Sequence, residues 1–219
     1  MAERRECIYG RRPVAEAERG RRRVHRVWRA PETAAEELTR LAGSPDHQGV
    51  VAEVDPYPYA DAAELLAEPG ALLVALDQVQ DPRNLGAVCR SAEAAGAAGV
   101  VIPQRRAAAV TAAACKASAG AVEHLAVARV RNLADWLGEA RGAGFWAWGA
   151  EAGAPTAYTD ADLSGGTVLV LGGEGKGLRP RVAASCDGLV AIPQHGRTAS
   201  LNVSSAAAVL LFEVLRQRA

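Results

Sequence analysis

Several things are scarce in this chain, and each scarcity excludes something. No apolar run approaches the roughly 20 residues that a membrane-spanning helix needs, so no membrane is expected as a partner. The N-terminal MAERRECIYGRR is charged and has no apolar stretch behind it, so it does not read as a secretory leader. Four cysteines, Cys7, Cys89, Cys115 and Cys186, are scattered without a Cys-x-x-Cys pair. That pattern offers neither a disulfide framework nor a zinc site, and a reducing cytoplasm is the expected compartment. Lysine is nearly missing: of 25 basic residues only Lys116 and Lys176 are lysines. Arginine grips phosphate with a two-pronged fork and stacks on bases, which suits RNA. A GC-rich genome produces the same bias, and composition alone does not separate the two.

What is present is ample for folding. The 219 residues are 49% apolar and 23% charged, enough for one large or two small domains without metals or disulfides. The net charge of zero conceals an uneven distribution. Residues 1–30 hold ten Arg against four Glu, so a basic head precedes an acidic body. A polyanion touched by one end of the molecule fits that distribution.

The first sixty residues read as a small α/β unit. A helix is expected over 11–20, a strand over 23–30, a helix over 31–43 and a strand over 49–54. DPYPYAD (55–61) reads as a turn or linker, because its two prolines disfavour helix. The expected domains are 1–62, a linker over 63–70, and 71–219. The second part alternates: strands at 71–76, 99–103, 124–130, 145–150, 167–173 and 188–193, with helices at 84–96, 110–121, 132–144 and 202–218. Short apolar runs such as ALLVAL suit strands buried on both faces, so a mostly parallel α/β sheet is expected.

Open parallel sheets bind ligands beyond the carboxyl ends of their strands, and three segments fall there. DQVQDPRNLGAVCR (77–90) runs from a strand into a helix, with Asn84 as its expected N-cap and Arg90 six residues on. Arg90 can reach back toward the anion-favouring helix start; read alone, the segment reads better as a capped helix with a surface arginine. LVLGGEGKGLRP (169–180) has glycines at 172, 173, 175 and 177 around Glu174. These let a backbone approach a ligand closely, or simply make a tight turn. The segment is neither a P-loop nor a dinucleotide fingerprint. AIPQHGRTASLNVSS (191–205) gathers Ser200, Asn202, Ser204 and Ser205 at a helix start, where such residues cap well. His195 beside them reads best as a solvated loop histidine.

In this order, the three segments closely resemble the three motifs of the SpoU/TrmH group of RNA ribose 2′-O-methyltransferases, within the SPOUT superfamily. The carriers are Asn84 with Arg90, then Gly-Gly-Glu-Gly-x-Gly, then Ile-Pro with Ser-Leu-Asn-Val-Ser, covering roughly 70–219. HQGVVAEVDPYPYAD (47–61) also looks like the junction in members that methylate a guanosine of 23S ribosomal RNA. The resemblance implies a C-terminal trefoil knot preceded by an RNA-binding domain like ribosomal protein L30e. It implies S-adenosylmethionine as cofactor, a homodimer packed partly through the C-terminal helix, and no metal.

Residue by residue, the resemblance makes Arg90 the catalytic arginine, with Asn84 orienting the nucleotide and Glu174, Asn202 and Ser204 completing the polar site. Gly172, Ile192 and Leu201 match cofactor-binding positions, with Pro193 beside them and Gly173 and Gly177 shaping the loops. The cluster Arg22, Arg23, Arg26 and Arg29 supplies the expected RNA contacts, and Trp28 is expected in a strand interior. Fewer residues lie between Trp28 and His47 than the family's N-terminal domain usually has, so that domain is expected to be shortened. The rival readings are a non-catalytic RNA-binding scaffold, and the same chemistry on transfer RNA or at a resistance site of ribosomal RNA.

Overall fold

The computed structural model of the chain describes residues 5–173, 175, 177–197 and 200–219. In chain order its elements are β1 (Glu6–Tyr9), α1 (Arg11–Ala17), β2 (Val24–Arg29), α2 (Ala35–Ala42), β3 (Val50–Val54), β4 (Leu72–Asp77), α3 (Pro82–Ala94) and β5 (Gly99–Pro103). There follow α4 (Ala112–Ala117), β6 (Ala126–Val130), α5 (Leu133–Gly142), β7 (Trp146–Ala150), β8 (Thr156–Ala157), β9 (Thr167–Gly172), α6 (Pro180–Ala183), β10 (Gly188–Ala191) and α7 (Val203–Arg218). Contacts divide the chain into two compact units. The first holds the residues up to Pro58 with Pro82–Arg90 and Ala109–His124; the second holds Tyr59–Asp81, Ser91–Ala108 and Leu125–Ala219.

The first unit is built on an antiparallel sheet in the order β1-β3-β2. The VVAEV run of β3 lies in the middle, and its Val51 shares a small core with Tyr9 and with Leu38 of α2. α2 carries Glu36 and Glu37 in its first turn and Arg40 in its last, matching the helix dipole, and stops at Gly43 in the left-handed conformation. It begins at Ala35 rather than at residue 31, because the amide of Thr33 first closes a turn onto the Arg29 carbonyl. β1 was not expected; four residues are too few to show an alternation. α4 is half the expected length, since Ala119 and Gly120 turn to positive φ just beyond it.

This unit is discontinuous in sequence for a physical reason. Arg22 is buried, and its guanidinium binds both carboxylate oxygens of Glu123, Nε at 2.9 Å from Oε2. The Tyr57 hydroxyl donates to the Val122 carbonyl at 2.9 Å. On α3, a Cβ on Gly86 would stand 2.4 Å from the Ala114 carbonyl oxygen, so a glycine lets the two helices touch.

The second unit is a seven-stranded sheet in the order β6-β5-β4-β9-β7-β10-β8, every pairing parallel. The expected α/β class is therefore observed. β4 and β5 are buried along their whole length, as their uninterrupted apolar runs require. Trp136 and Leu137 of α5 join Leu73, Ala75 and Val168 in one core. Residues 63–70 are not a bare linker, because a helical turn at Glu64–Leu66 plants Leu65 in this core. α7 is pinned near its end by Gln217, which accepts from the Leu163 amide at 2.8 Å and donates to the Ala161 carbonyl at 3.0 Å. β8 and α6, two and four residues long, are too short for periodicity to reveal.

Strands β4, β5 and β6 proceed toward one edge, and β9, β7 and β10 toward the other. The order reverses between β4 and β9. At such a reversal the outgoing loops diverge and leave a crevice beyond the strand ends.

Candidate active site

β4 ends at Asp77, in register with Gly172 at the end of β9. The Asp77 carboxylate is fully buried. Its Oδ2 accepts the Arg179 backbone N–H at 2.8 Å, and its Oδ1 accepts Arg179 Nε at 2.8 Å. A buried carboxylate at a strand end is stable only when its lone pairs are filled by donors. Here those donors tie the residue beyond the glycine loop back to the end of β4. Sequence reading missed both residues. The available signal was an acid closing an uninterrupted apolar run.

Between Gly172 and Leu178 the chain folds onto itself. Gly173 and Gly177 form a bridge, with the Gly177 amide 3.2 Å from the Gly173 carbonyl. A Cβ on Gly172 would lie 2.1 Å from the Gly177 carbonyl carbon, and one on Gly173 would lie 2.6 Å from the Gln78 carbonyl oxygen. The obstacles are backbone, which cannot swing aside. Gly175 and Gly177 also hold φ of +72° and +62°. Positions 172 and 173 are thus closed to any side chain, whereas 175 and 177 have open space and are constrained by their left-handed backbone alone. Glu174, placed in this loop by its motif, lies outside the described residues.

β10 delivers the third segment. Ile192 is half-buried and Pro193 exposed, and His195 is exposed as expected. Leu201 exposes 41% of its surface immediately before α7, an apolar side chain held in the open. Asn202 caps α7: its Oδ1 accepts the Ser204 amide at 2.8 Å and the Ser204 hydroxyl at 2.6 Å. The two residues are thus joined, and the expected cap is present.

In the first segment the helix starts earlier than its sequence suggests. Pro82 opens α3, so Asn84 stands inside the first turn rather than at the N-cap. Proline suits a first helical position, where its missing N–H is not needed. Arg90 therefore lies about 12 Å along the axis from the helix start. It is exposed, on the side opposite the buried Leu85, Val88 and Cys89. Arg90 thus stands about two turns beyond the first residue of α3, with an exposed side chain.

The basic head divides. Arg23, Arg26 and Arg29 are exposed, Arg26 lying 4.9 Å over the ring of Trp28 and Arg29 paired with Glu18 at 3.2 Å. Trp28 packs against the small core of its unit. Arg22 departs from its expected role. Bound to Glu123, with its amine also 3.3 Å from the Cys115 sulfur, it is an internal strut rather than a phosphate contact. Glu18, His25 and Arg26 help line an open groove of about 420 Å³ on this unit. Among the described residues, no cluster of His, Cys, Asp or Glu is arranged to hold a metal ion.

The model of the SpoU rRNA Methylase family matches residues 71–212. The chain is 38% identical to the putative TrmH family tRNA/rRNA methyltransferase YacO of Bacillus subtilis, over 100% of this chain and 98% of that one. It spans only 60–63% of the length of other curated relatives that it matches. Among solved structures, it resembles an rRNA methyltransferase from Sinorhizobium meliloti with bound AdoMet, at 26% identity and a TM-score of 0.85, over 97% of this chain and 87% of that one. It also resembles an RNA 2′-O ribose methyltransferase at 27% identity and a TM-score of 0.84, over 99% of this chain and 90% of the other.

Proposed function

Because the chain belongs to the SpoU rRNA methylase family, we propose that it transfers a methyl group from S-adenosylmethionine to a ribose 2′-oxygen of structured RNA, a guanosine of 23S ribosomal RNA being the favoured address. The observation that carries this reading is the glycine loop at the β4–β9 reversal. Its Gly172 and Gly173 admit no side chain, its Gly175 and Gly177 hold left-handed backbone, and Arg179 beyond it is tied to Asp77. Such a cradle fits a cofactor gripped by main chain. Gly172, Gly173, Gly177, Ile192 and Pro193 would hold it, with Leu201 supplying apolar cover.

S-adenosylmethionine supplies an electrophilic methyl on a sulfonium. The protein must bring the 2′-hydroxyl into line and help its proton leave, and positioning alone supplies much of such an acceleration. A guanidinium is a poor proton acceptor, so the role proposed for Arg90 is not that of a simple base. It grips the phosphate next to the target and steadies the developing alkoxide charge. The proton passes to that phosphate or to water. Asn84 orients the nucleotide. Asn202 and Ser204, joined at the α7 cap, fix the backbone that closes the pocket with Glu174.

The remaining assignments follow from the same reading. Residues 1–62 form a shortened L30e-like RNA-binding domain and 71–219 the methyltransferase domain, with the segment from β9 to α7 threaded as a trefoil knot. Arg23, Arg26 and Arg29 contact RNA. Two copies pair through α7, whose Phe212 and Leu215 expose 52% and 37% of their surfaces. The enzyme works in the cytoplasm.

The test is incubation with labelled S-adenosylmethionine and separately purified unmodified ribosomal and transfer RNAs, followed by mapping of the label. Label on a ribose 2′-oxygen of 23S RNA is the expected result. Label on transfer RNA overturns the address but not the chemistry. Absence of both cofactor binding and transfer overturns the enzyme and leaves an RNA-binding scaffold.

A further inference from the structure

We propose that Arg105, Arg106 and Arg131, where the chain leaves β5 and β6, form a ledge that grips the phosphate backbone of the RNA next to the target nucleotide. The inference rests on the proposed RNA methyltransferase reading and deepens it. It moves part of the RNA grip from the basic head to the edge of the catalytic sheet.

Strand register brings the three arginines together. β5 and β6 are parallel neighbours with Pro103 opposite Val130, and the ladder continues one step further through the Gln104 amide to the Val130 carbonyl at 2.8 Å. Arg131 is the first residue past that pair and Arg105 the second on its own strand. Neighbouring strands lie about 4.8 Å apart. All three side chains are exposed.

The local charge favours the same placement. The stretches 99–110 and 126–132 hold four arginines and no Asp or Glu, inside a body whose overall excess is acidic. Elsewhere in this unit Arg141, Arg179, Arg181 and Arg216 each hold a carboxylate. Among the described residues Arg105, Arg106 and Arg131 form no ion pair. The nearest following acid, Asp135, is occupied by Arg181 and by Asn132. Arg129, the fourth arginine, lies 3.7 Å over the Tyr59 ring and donates to its hydroxyl. What remains is three guanidinium forks without an ion pair among the described residues, the chemistry that recognises phosphate oxygens.

The Ala108 amide donates to the Val79 carbonyl at 2.8 Å, so the arginine turn is fastened to the loop leaving β4. The preceding carbonyl in that loop, of Gln78, is the one against which Gly173 packs. The ledge and the glycine cradle are thus joined through one short loop on the same edge of the sheet. Arg106 itself holds φ of +58°, a conformation that Gly or Asn adopts more easily. Turn geometry therefore does not account for an arginine there.

The test compares the wild-type chain with Arg105→Gln/Arg106→Asn/Arg131→Gln, using in vitro-transcribed 23S RNA and a pool of in vitro-transcribed transfer RNAs. In the triple variant KM for the accepted RNA rises at least tenfold while kcat falls less than threefold. The slope of log affinity against log salt shrinks by about 2, at roughly 0.7 for each phosphate no longer gripped. Affinity for S-adenosylmethionine, read by calorimetry without RNA, stays within twofold. Lysine at all three positions restores most of the salt slope. A triple variant with wild-type KM and salt slope, or one whose cofactor affinity collapses in parallel, overturns the ledge while leaving the enzyme reading intact. A wild-type chain that neither binds nor methylates any of these RNAs overturns both.

Discussion

Arg179 is bonded to Asp77 twice over, through its backbone amide and through its guanidinium, although 102 residues separate them in sequence. The carboxylate end of this pair is fully buried, whereas the Arg179 side chain is 43% exposed. One buried acid thus holds both the direction of the chain after the glycine loop and the side chain that follows it. Asp77→Ala strands the Arg179 amide, and Arg179→Ala strands a buried charge. Each is expected to lower stability by about 2–4 kcal/mol. The double variant should cost less than the sum, because the two share one interaction. Urea unfolding of the four proteins measures this; strict additivity would mean that the pair does not couple the segments.

The glycines give a graded series. Gly173→Ala meets the Gln78 carbonyl at 2.6 Å and must displace backbone, so S-adenosylmethionine affinity should fall by at least tenfold. Gly175→Ala has open space and meets only the strain of its φ of +72°, a penalty of about 1 kcal/mol. Gly138→Ala, inside α5 with nothing within 4 Å, should raise stability by about 0.5–1 kcal/mol. Calorimetric binding and thermal unfolding together test the order of the three.

Arg22 and Glu123 make a separate case, because both side chains are buried, at 1% and 0% exposure. Removing either partner alone leaves the other charge without compensation, an expected loss of about 3–5 kcal/mol. Arg22→Met with Glu123→Leu removes both charges and should recover most of that loss. RNA affinity of the double variant, compared at equal fraction folded, should match wild type if Arg22 is a strut. A marked loss would return it to the RNA surface.

Glu213 on α7 carries the clearest acid-range dependence. Hydrogen bonds from Arg216 and then Gln217 hold its carboxyl down at about 2, below its ordinary 4.5. A depressed folded-state pKa contributes stability that is complete above the unfolded value and is lost as pH falls through the folded one. That window runs from about pH 5 down to about pH 2. Glu213→Gln should therefore be less stable than wild type at pH 7 and should flatten the decline across this window. Unfolding midpoints measured at half-unit steps check the sign.

Much of the molecule is legible in the residue order, for local reasons. ALLVAL, GVVIP and TVLVL are short apolar runs that suit strands buried on both faces, and Asn202 before a long apolar-rich segment marks the start of α7 where it is found. The three segments that carry the resemblance were readable because each places its unusual residues a few positions apart. What lies in short or interrupted pieces was not. β1, β8 and α6 are too brief for a period to register, and α4 stops early because of a positive-φ residue that composition does not announce. Pro82 rather than Asn84 opens α3, since both residues favour helix starts and sequence alone does not rank them.

The sequence by itself determined the alternation of strands and helices, the parallel character of the sheet and the loops at its carboxyl edge, because hydrophobic period, glycine and proline act within a few residues. Only the tertiary structure decided which arginines are free. Arg22 and Arg23 are adjacent and identical in chemistry, yet one is sealed against Glu123 and the other is exposed. Arg179 is drawn to Asp77, while Arg105, Arg106 and Arg131 form no ion pair among the described residues. Whether a guanidinium is a strut or a grip depends on which carboxylate the fold brings to it, and those carboxylates come from about a hundred residues away.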